Sequence, residues 1–337
     1  MGENDKKKKS RPKRLLLVAG LMAAIIVITG CILINMELSK IKKAGSVTAI
    51  PRENETFDTD DNAGFGNEAM LLNPSDVVWP EGVEPIADQD MINILLIGQD
   101  KRPNQERGRS DSMILVSYDR KSGVLTLVSL MRDMYVQIPG FSDNRLNATY
   151  QFGGMALLDE TIKENFGITV NGNIEVDFEQ FTSIIDALGG LEITLNSAEA
   201  TYLSRSTKST LVSGENHLNG QQALMYSRIR YIGKADYERT ERQRTILLQA
   251  FNVTSRLNLT AKLDLLNKVL PLLTTDMTKE DILRDVYTIL QNGVKRTQTL
   301  RIPADGTFKP AVIRKMDVLL PDLTANRALL KQYLTKQ

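Results

Sequence analysis

The stretch Ile92-Asn93-Ile94-Leu95-Leu96-Ile97-Gly98 decides the fold, because a short apolar run that ends in glycine is typical of a buried strand. Two further apolar runs follow it, at residues 112–118 and 124–130. The turn sequence Lys121-Ser122-Gly123 lies between these two runs. It predicts that they form a β-hairpin beside the first strand.

Helical and strand-like segments then alternate to the end of the chain. We expect further strands at 191–195 and 297–302, and helices at 155–165, 178–188, 219–225, 236–251, 279–291 and 325–334. Strands that alternate with helices indicate an α/β fold. We therefore predict a three-layer sandwich, with a mixed central β-sheet flanked by helices.

The N-terminal segment 15–36 contains no charged side chain and is long enough to span a bilayer. Seven Lys and Arg side chains precede it, against two acidic ones, which favours a cytoplasmic N-terminus. A cleaved signal peptide is the alternative, although its apolar region usually has only about 7–15 residues. Ile28-Thr29-Gly30-Cys31 resembles the sequence before a lipidated cysteine, but the apolar run continues past it, so lipidation of Cys31 stays open.

Composition and charge divide the rest of the chain. Residues 53–90 carry eleven acidic side chains and no Lys or Arg, which is typical of a solvated tether. The single cysteine excludes an intramolecular disulfide, and with one histidine it leaves little for thiol or imidazole chemistry. The predicted organisation is a basic cytoplasmic tail (1–14), a transmembrane helix (15–36), an acidic extracytoplasmic spacer (37–90) and one large domain (91–337).

Two blocks of charged residues carry the candidate chemistry. The first block contains Asp100, Arg109, Asp111, Arg132 and Asp133, and the second contains Arg228, Arg230, Asp236, Arg239, Arg242 and Gln243. Arginine suits phosphate oxygens because its planar fork donates paired hydrogen bonds and keeps its charge. Carboxylates among arginines suit a hard cation that bridges phosphate oxygens. Together the blocks predict a site for a diphosphate and a metal ion held by Asp100 and Asp111.

Other readings of these residues remain open. The Arg132-Asp133 pair that closes a core strand could be a structural ion pair instead of part of a site. Arg242 and Arg244 could lie on a solvated helix face, paired with Asp236, Glu238 and Glu241. The arginines could also bind an anionic polymer without catalysis, although such a binder gains nothing from Asp100 and Asp111.

From residue 91 onward, the chain resembles the LytR–CpsA–Psr family of bacterial cell-envelope phosphotransferases. The order of several segments carries the resemblance: Asn93 to Asp100, Arg109-Ser110-Asp111-Ser112-Met113, Ser129 to Val136, Leu146-Asn147-Ala148-Thr149-Tyr150, Gly153-Gly154, Gly220 to Arg230, and then Asp236, Arg239, Arg242 and Gln243. The chain departs from the family pattern at Met131, where proline is usual, at Gln99 and at Thr149. None of these departures removes a charged position.

The resemblance implies a phosphotransferase that moves a glycopolymer from a polyprenyl-diphosphate carrier to a cell-wall acceptor, usually peptidoglycan. It implies Mg²⁺ (or Mn²⁺) on Asp100 and Asp111, and a grip on the diphosphate by Arg109, Arg132, Arg228, Arg230, Arg239, Arg242 and Gln243. Arg132, Asp111 and Asp133 would be catalytic, with Asp133 and Asp111 as the two candidates for the proton acceptor. It also implies a single-pass protein of a Gram-positive bacterial cell membrane, with no nucleic-acid partner.

Three further functions compete with this expectation. A regulator of envelope gene expression is disfavoured, because fourteen cytoplasmic residues cannot fold as a DNA-binding module. A non-catalytic receptor for lipid-linked glycans would need the arginines but not the two aspartates. A diphosphate hydrolase would use water in place of the sugar hydroxyl. The sequence leaves open which glycopolymer (teichoic acid, capsular polysaccharide or another) and which acceptor sugar are used.

Overall fold

The computed structural model describes residues 37–59, 69–86, 90–100, 108–230, 232 and 236–335. Asp100, Asp236 and Leu259 are described by their backbone only. The predicted cytoplasmic tail and the predicted transmembrane segment 15–36 lie outside the described residues. Within those residues, none of the helices has the length and apolar character needed to cross a bilayer.

A seven-stranded mixed sheet forms the centre of the molecule. With strands numbered in chain order, its spatial order is β1 (Lys42–Lys43), β11 (Thr274–Thr275), β8 (Gly172–Val176), β3 (Met91–Asp100), β4 (Arg109–Asp119), β5 (Val124–Leu130) and β12 (Arg296–Ile302). The predicted hairpin is confirmed, since β4 and β5 pair antiparallel, and Gly123 adopts φ +72° in their turn. β3 pairs antiparallel with β4 and parallel with β8, so the sheet is mixed as predicted.

Eight α-helices of eight or more residues are described, in chain order: α1 (Leu146–Phe166), α2 (Phe178–Ala187), α3 (Ser197–Thr207), α4 (Gly220–Ser227), α5 (Asp236–Arg256), α6 (Leu259–Val269), α7 (Lys279–Asn292) and α8 (Leu323–Thr335). Asp177 and Asn219 cap α2 and α4 by accepting hydrogen bonds from backbone N–H groups of the first turn. α1 begins earlier than predicted and bends at Gly154, whose φ of +66° favours glycine.

Side chains of the central strands alternate between two apolar layers. Leu95 and Ile97 of β3 face one layer, which also contains Leu158 of α1 and Leu330 of α8. Ile92 faces the other layer, against residues of α5 and α7. Helices therefore cover both faces of the sheet, which is the arrangement expected of strands that are apolar on both sides.

Three small sheets border this centre. They are β2 (Met70–Leu72) with β13 (Phe308–Ile313) and β14 (Met316–Pro321), β9 (Leu191–Leu195) with β10 (Gly214–Leu218), and β6 (Tyr135–Val136) with β7 (Asn144–Arg145). The β13–β14 hairpin supports the loop after β5, because Leu319 N–H donates to the Asp133 carbonyl at 2.9 Å. This contact fixes the chain immediately after Arg132.

The predicted spacer is, where the structure describes it, packed into the domain. Lys42–Lys43 and Met70–Leu72 add strands to two sheets. The Trp79 ring stacks on Tyr135 at 6.1 Å, and its indole N–H donates to Asp143 at 2.8 Å. The charge and the low apolar periodicity of this stretch predict a free tether. The structure differs because a few apolar residues of this stretch are enough to anchor it on the sheets.

Candidate functional site

The first block of charged residues meets at one end of the central sheet. Asp100 ends β3 and pairs with Arg109 at the start of β4. The register shifts between Gly98 and Gln99, so that Asp111 lies in an irregularity of the β3–β4 ladder. Such a bulge turns a strand and redirects its side chains. Arg132 follows the end of β5, which pairs with β4.

Arg132 and Asp111 form the centre of this cluster. One terminal nitrogen of the Arg132 guanidinium donates to Asp111 Oδ1 at 2.7 Å. The Arg132 side chain is 8% exposed, whereas that of Asp111 is 23% exposed. The partly shielded pair is stronger than one in bulk water, yet the Asp111 carboxylate still faces solvent. An anion or a cation can reach it from that side.

Asp133 has a different environment from Asp111. Its carboxylate is 3% exposed and lies 3.4 Å from Arg132 Nε and 3.8 Å from Arg145 Nε. Arg145 is itself buried and donates to the Asp317 carbonyl at 2.9 Å. Asp133 is thus a buried counter-ion that orients two guanidinium groups. Asp133 therefore has the structural role that the ion-pair alternative predicts. Arg132 has in addition its contact with Asp111, whose carboxylate faces solvent.

Arg109 forms an ion pair with a carboxylate of the predicted spacer. One of its terminal nitrogens donates to Asp58, and its Nε donates to the Gln151 side-chain oxygen at 3.0 Å. The segment is held nearby, since Asn144 donates to the Thr56 carbonyl and Arg314 stacks over the Phe57 ring at 4.6 Å. Sequence reasoning missed Asp58 because it assigned all acidic residues of this stretch to a solvated tether.

The second block joins the first through α5. The Ser112 hydroxyl donates to the Gln243 side-chain oxygen at 3.1 Å, one residue along β4 from Asp111. Arg239 precedes Gln243 by one helical turn and is 5% exposed. Arg244, also on α5, donates to the Ser129 hydroxyl at 2.7 Å, and burial lowers the pKa of its guanidinium. α5 therefore carries Arg239 and Gln243 to the strand ends.

Arg228 and Arg230 follow α4. Arg228 is exposed, and its guanidinium lies over the Phe178 ring at 4.3 Å from the centroid. Phe178 begins α2 directly after β8, whose Val176 pairs with Gly98. This places Arg228 at the same end of the sheet as Asp100. Arg230 is half-buried.

Arg242 is not brought into this cluster by the contacts that the structure gives. Its Nε donates to Glu199 at 2.7 Å, and its two terminal nitrogens donate to the Ile229 carbonyl at 3.1 Å and to Glu238 at 2.8 Å. Its side chain is 4% exposed. The sequence grouped Arg242 with the diphosphate-binding residues. The structure instead gives it the role of tying α5 to α3 and to the chain before Arg230.

A polar network at the end of β3 was also missed. The Gln99 amide donates to Glu175 of β8, and its oxygen accepts from Gly108 N–H at 3.3 Å. The Tyr150 hydroxyl of α1 donates to the same Glu175 carboxylate. Tyr150 belongs to a motif that the sequence singled out, but Glu175 lies in a short strand that was not predicted. The network links three elements beside Asp100.

The arrangement suits phosphate chemistry that uses a hard cation. Among residues 37–335 with side chains described, there is no group of three or more His, Cys, Asp or Glu that could hold a metal alone. Asp111 is nevertheless a half-buried carboxylate. The Asp100 backbone pairs with that of Arg109, which precedes Asp111 by two residues on β4. Such a donor set fits Mg²⁺, which keeps several waters and takes one or two carboxylates plus phosphate oxygens.

The sequence pattern of the LytR_cpsA_psr family matches residues 50–329. The chain belongs to this family. The family match begins inside the predicted spacer, in agreement with the packing of that stretch. A Bacillus cereus relative, named polyisoprenyl-teichoic acid–peptidoglycan teichoic acid transferase TagU, is 31% identical over 224 residues, covering 66% of this chain and 71% of the relative.

Two solved structures of the family share the fold. Bacillus subtilis TagV superposes with a TM-score of 0.58 at 27% identity, covering 74% of this chain and 98% of TagV. A TagT structure with bound octaprenyl pyrophosphate lipid gives a TM-score of 0.57 at 22% identity, covering 74% of this chain and 90% of TagT. The mixed α/β fold is thus the fold of the family, as the sequence predicted.

Proposed function

We propose that this chain is a membrane-anchored phosphotransferase. It transfers a glycopolymer from a polyprenyl-diphosphate carrier to a cell-wall acceptor such as peptidoglycan and releases polyprenyl phosphate. The observation that carries the proposal is the Arg132–Asp111 pair, placed with Arg109 at the strand ends of a domain whose relative is named a teichoic acid transferase. Bound octaprenyl pyrophosphate in TagT supports the class of donor.

The reaction is a substitution at phosphorus. The oxygen of an acceptor hydroxyl attacks the phosphorus that carries the glycan, and the bond from this phosphorus to the bridging oxygen breaks. Polyprenyl phosphate leaves with the bonding electrons, so negative charge grows on its oxygens. Fixed cations stabilise this charge better in a shielded site than in water. Arg132, Arg109, Arg230, Arg239 and Gln243 are the groups that would hold the diphosphate, with Arg228 at the exposed margin.

Asp111 suits the remaining roles better than Asp133. The hydroxyl proton needs an acceptor that the substrate can reach, and the Asp111 carboxylate is 23% exposed. Asp133, at 3% exposed, lies between Arg132 and Arg145 and would position Arg132 without touching the substrate. We therefore assign Asp111 to the site and keep Asp133 as a positioning residue.

Mg²⁺, with Mn²⁺ as a substitute, is the cofactor that the carboxylates would hold. Asp111 and Asp100 would bind it, and when bound it would neutralise diphosphate charge and polarise the phosphorus–oxygen bonds. For Asp111 to bind the ion, its hydrogen bond with Arg132 would have to weaken or break. The Arg132 guanidinium could then donate to the phosphate oxygens.

Membrane anchoring is part of the proposal. The apolar segment 15–36 follows a basic tail, which would leave the N-terminus in the cytoplasm and the family domain on the outer side. Polyprenyl carriers and peptidoglycan meet on that side of a bacterial membrane. The arginines would serve the lipid-linked diphosphate and no nucleic acid.

The test uses the full chain in detergent micelles, a synthetic polyprenyl-diphosphate oligosaccharide and peptidoglycan fragments. Coupled glycan and released polyprenyl phosphate are followed with Mg²⁺, with Mn²⁺ and with chelator. Asp100→Asn/Asp111→Asn is compared with Glu215→Gln, which changes an exposed carboxylate on β10. We expect metal-dependent coupling that the double variant loses and the β10 variant keeps.

Other outcomes point to the competing functions. Release of polyprenyl phosphate with free glycan phosphate, and no coupling to any acceptor, would indicate a hydrolase. Tight donor binding without turnover across several donors and acceptors would indicate a receptor and contradict the transferase.

A further inference from the structure

The first described residues, Glu37–Lys40, are bound to helix α6. The Lys40 ammonium donates to the Asn267 side chain on α6 and to the Glu37 carboxylate. Leu38 is buried. The chain then enters the central sheet, where Lys42 N–H donates to the Leu273 carbonyl at 3.0 Å. The start of the domain is therefore fixed against α6.

This contact limits the distance between α6 and the membrane. If residues 15–36 span the bilayer, as the proposed function holds, only Glu37 to Lys40 separate the bilayer from the contact with Asn267. Four residues reach at most about 14 Å when fully extended. α6 must then lie next to the lipid headgroups. The domain is not held away from the membrane by a long spacer.

Two apolar side chains are exposed on α6 near this contact, beside the exposed polar side chains of Asp264, Asn267 and Lys268. Leu263 and Leu266 are each 44% exposed, and Leu263 lies one helical turn from Asn267. Lys262 and Lys268 flank the two leucines, and Lys268 is exposed. Exposed leucines bordered by lysines suit the boundary between acyl chains and anionic headgroups. Lysine stems can lie along the apolar region while their ammonium groups reach the phosphates.

The register of the sheet gives the orientation of the site. Lys42 pairs with Thr274, Thr274 with Glu175, and Glu175 with Ile97, so Lys42 is level with Ile97 of β3. β1 runs antiparallel to β3, because one of these three pairings is antiparallel and two are parallel. The residues before Lys42 thus extend toward the end of β3 that carries Asp100. The anchor and the candidate site share one end of the sheet.

We propose that the Leu263–Leu266 face of α6 is a docking surface for the outer leaflet of the bilayer. It holds the strand ends, with Arg109, Asp111 and Arg132, at headgroup level, where the diphosphate of a polyprenyl carrier lies. The proposal rests on the membrane anchoring of the proposed function. The occupant is a lipid surface, since the tether leaves little room for a protein partner between α6 and the headgroups.

Helix α7 provides a matched control surface. Its residues Leu283, Val286, Tyr287 and Leu290 form a more exposed apolar stripe, with Leu290 at 74%. α7 packs through Ile289 against Ile92 and Tyr118, at the other end of β3 and β4 from Asp100 and Arg109. In the proposed orientation this contact lies at the end of the sheet that is farther from the bilayer.

The experiment places one fluorophore on each surface of the full chain. Cys31→Ser removes the only cysteine, and Leu266→Cys or Leu290→Cys then takes a polarity-sensitive NBD label. The proteins are reconstituted into vesicles of phosphatidylcholine and phosphatidylglycerol, and flotation checks that they are anchored. We expect the label at 266 to shift to the blue, to be quenched severalfold more by headgroup spin-labelled lipid, and to be protected from aqueous iodide. The label at 290 should show the opposite behaviour.

A second measurement separates docking from chemistry. Leu263→Glu/Leu266→Glu should raise KM severalfold for a vesicle-borne polyprenyl donor and leave turnover of a short, water-soluble prenyl-diphosphate donor unchanged. Val286→Glu/Leu290→Glu places two charges on the exposed stripe of α7 and serves as the control. It should change KM for neither donor.

Distinct results overturn the docking proposal. Equal access of iodide to both labels in anchored protein would exclude a docked α6, and failure to float would remove its premise. Self-quenching at 266 that grows with protein density would assign the surface to a second copy of the chain. Wild-type turnover of the soluble donor alongside any of these results leaves the transferase standing. A docked protein without turnover of either donor overturns only the transferase.

Discussion

Arg132 and Arg242 show how two arginines of one sequence pattern reach different roles. Arg132 bonds to Asp111, whose carboxylate still meets solvent, whereas Arg242 is enclosed by Glu199, Glu238 and the Ile229 carbonyl. Spacing along α5 placed Arg242 beside Arg239, and the alternative that Arg242 pairs with Glu238 agrees with the structure. Sequence alone could not assign different roles to Arg239 and Arg242, because Glu199, the partner of Arg242, lies on a helix that was not predicted.

Arg242→Ala should therefore act on stability. It leaves Glu199 buried without its cation, which typically costs about 3–5 kcal/mol. We expect urea unfolding to show a loss of this size, while Arg228→Ala, at an exposed position, unfolds like the wild type and raises KM for the donor. Normal stability together with weak donor binding in Arg242→Ala would show that Arg242 binds the diphosphate.

Arg132→Lys tests the central cation without removing its charge. Lysine cannot form the paired hydrogen bonds of a guanidinium with phosphate oxygens, although it can still pair with Asp111. We expect kcat to fall by about a hundredfold, the usual effect of losing one such donor, with little change in the melting temperature. Initial rates on the polyprenyl-diphosphate donor measure this. A variant with near-normal kcat would exclude Arg132 from transition-state stabilisation.

Asp58→Asn tests the carboxylate that the N-terminal stretch supplies to Arg109. The Asp58 carboxylate accepts from Arg109 N–H groups, and in the proposed function the donor's phosphate oxygens would compete for them. Removing the charge should lower KM for the donor about fivefold, which corresponds to about 1 kcal/mol for a partly exposed pair. Glu53→Gln, an exposed change in the same segment, should leave KM unchanged. A higher KM in Asp58→Asn would mean that Asp58 positions Arg109.

The three departures from the family pattern each have a contact in the structure. Met131 N–H donates to the Ile302 carbonyl at 2.8 Å, a bond that proline could not make. Gln99 links β3 to Glu175 and to Gly108 N–H. The buried Thr149 hydroxyl donates to the Leu146 carbonyl at 2.6 Å. The Met131 bond thus fixes the chain immediately before Arg132.

At the scale of elements, the strands and helices with strong apolar signals were predictable. β3, β4 and β5 were found because they are apolar on both faces, and α2 because Gly189-Gly190 closes it. β8 was missed because its sequence Gly-Asn-Ile-Glu-Val is short and half polar, and its Glu175 is used beside the site. The first turns of α1 were missed because Gly153-Gly154 predicted a helix start, whereas the chain bends there and continues.

Helix α1 also carries a carboxylate that should make stability depend on pH. Asp159 accepts a hydrogen bond from Asn173 at 2.8 Å, and burial raises its pKa to about 7. Asp276 accepts from the same Asn173 amide at 2.7 Å. Because this pKa is raised, Asp159 contributes most to the free energy of unfolding below about pH 4, which is its pKa in the unfolded chain. The contribution is lost as pH rises through about 7.

Asp159→Asn should remove this dependence, because an amide oxygen can still accept from Asn173. We expect the free energy of unfolding of the variant to equal that of the wild type at pH 4. At pH 8 it should be larger than that of the wild type by up to about 4 kcal/mol. Unfolding free energies at pH 4, 6 and 8 test the sign. A variant less stable than the wild type at pH 8 would show that the Asp159 carboxylate is stabilising when ionised.

At the scale of the whole molecule, the fold class was predictable, but the limits of the domain were not. Charge and composition assigned residues 37–90 to a spacer, and most of this stretch does lack the apolar periodicity of a core element. Its attachment depends on single contacts with distant residues, such as Ile86 N–H to the Gly167 carbonyl at 2.7 Å. Contacts of this kind leave no local pattern, since each needs only one suitable residue.

Truncation tests where the folded domain begins. A chain of residues 91–337 lacks β1, β2 and Trp79, so it uncovers the β13 edge and Tyr135. Loss of a packed tryptophan alone typically costs about 3–5 kcal/mol, so we expect this chain to melt well below a chain of residues 37–337. Hydrogen exchange should speed up in Phe308–Ile313, the strand that β2 covers. If both chains melted alike and β13 kept its protection, residues 37–90 would be the free tether that their composition predicts.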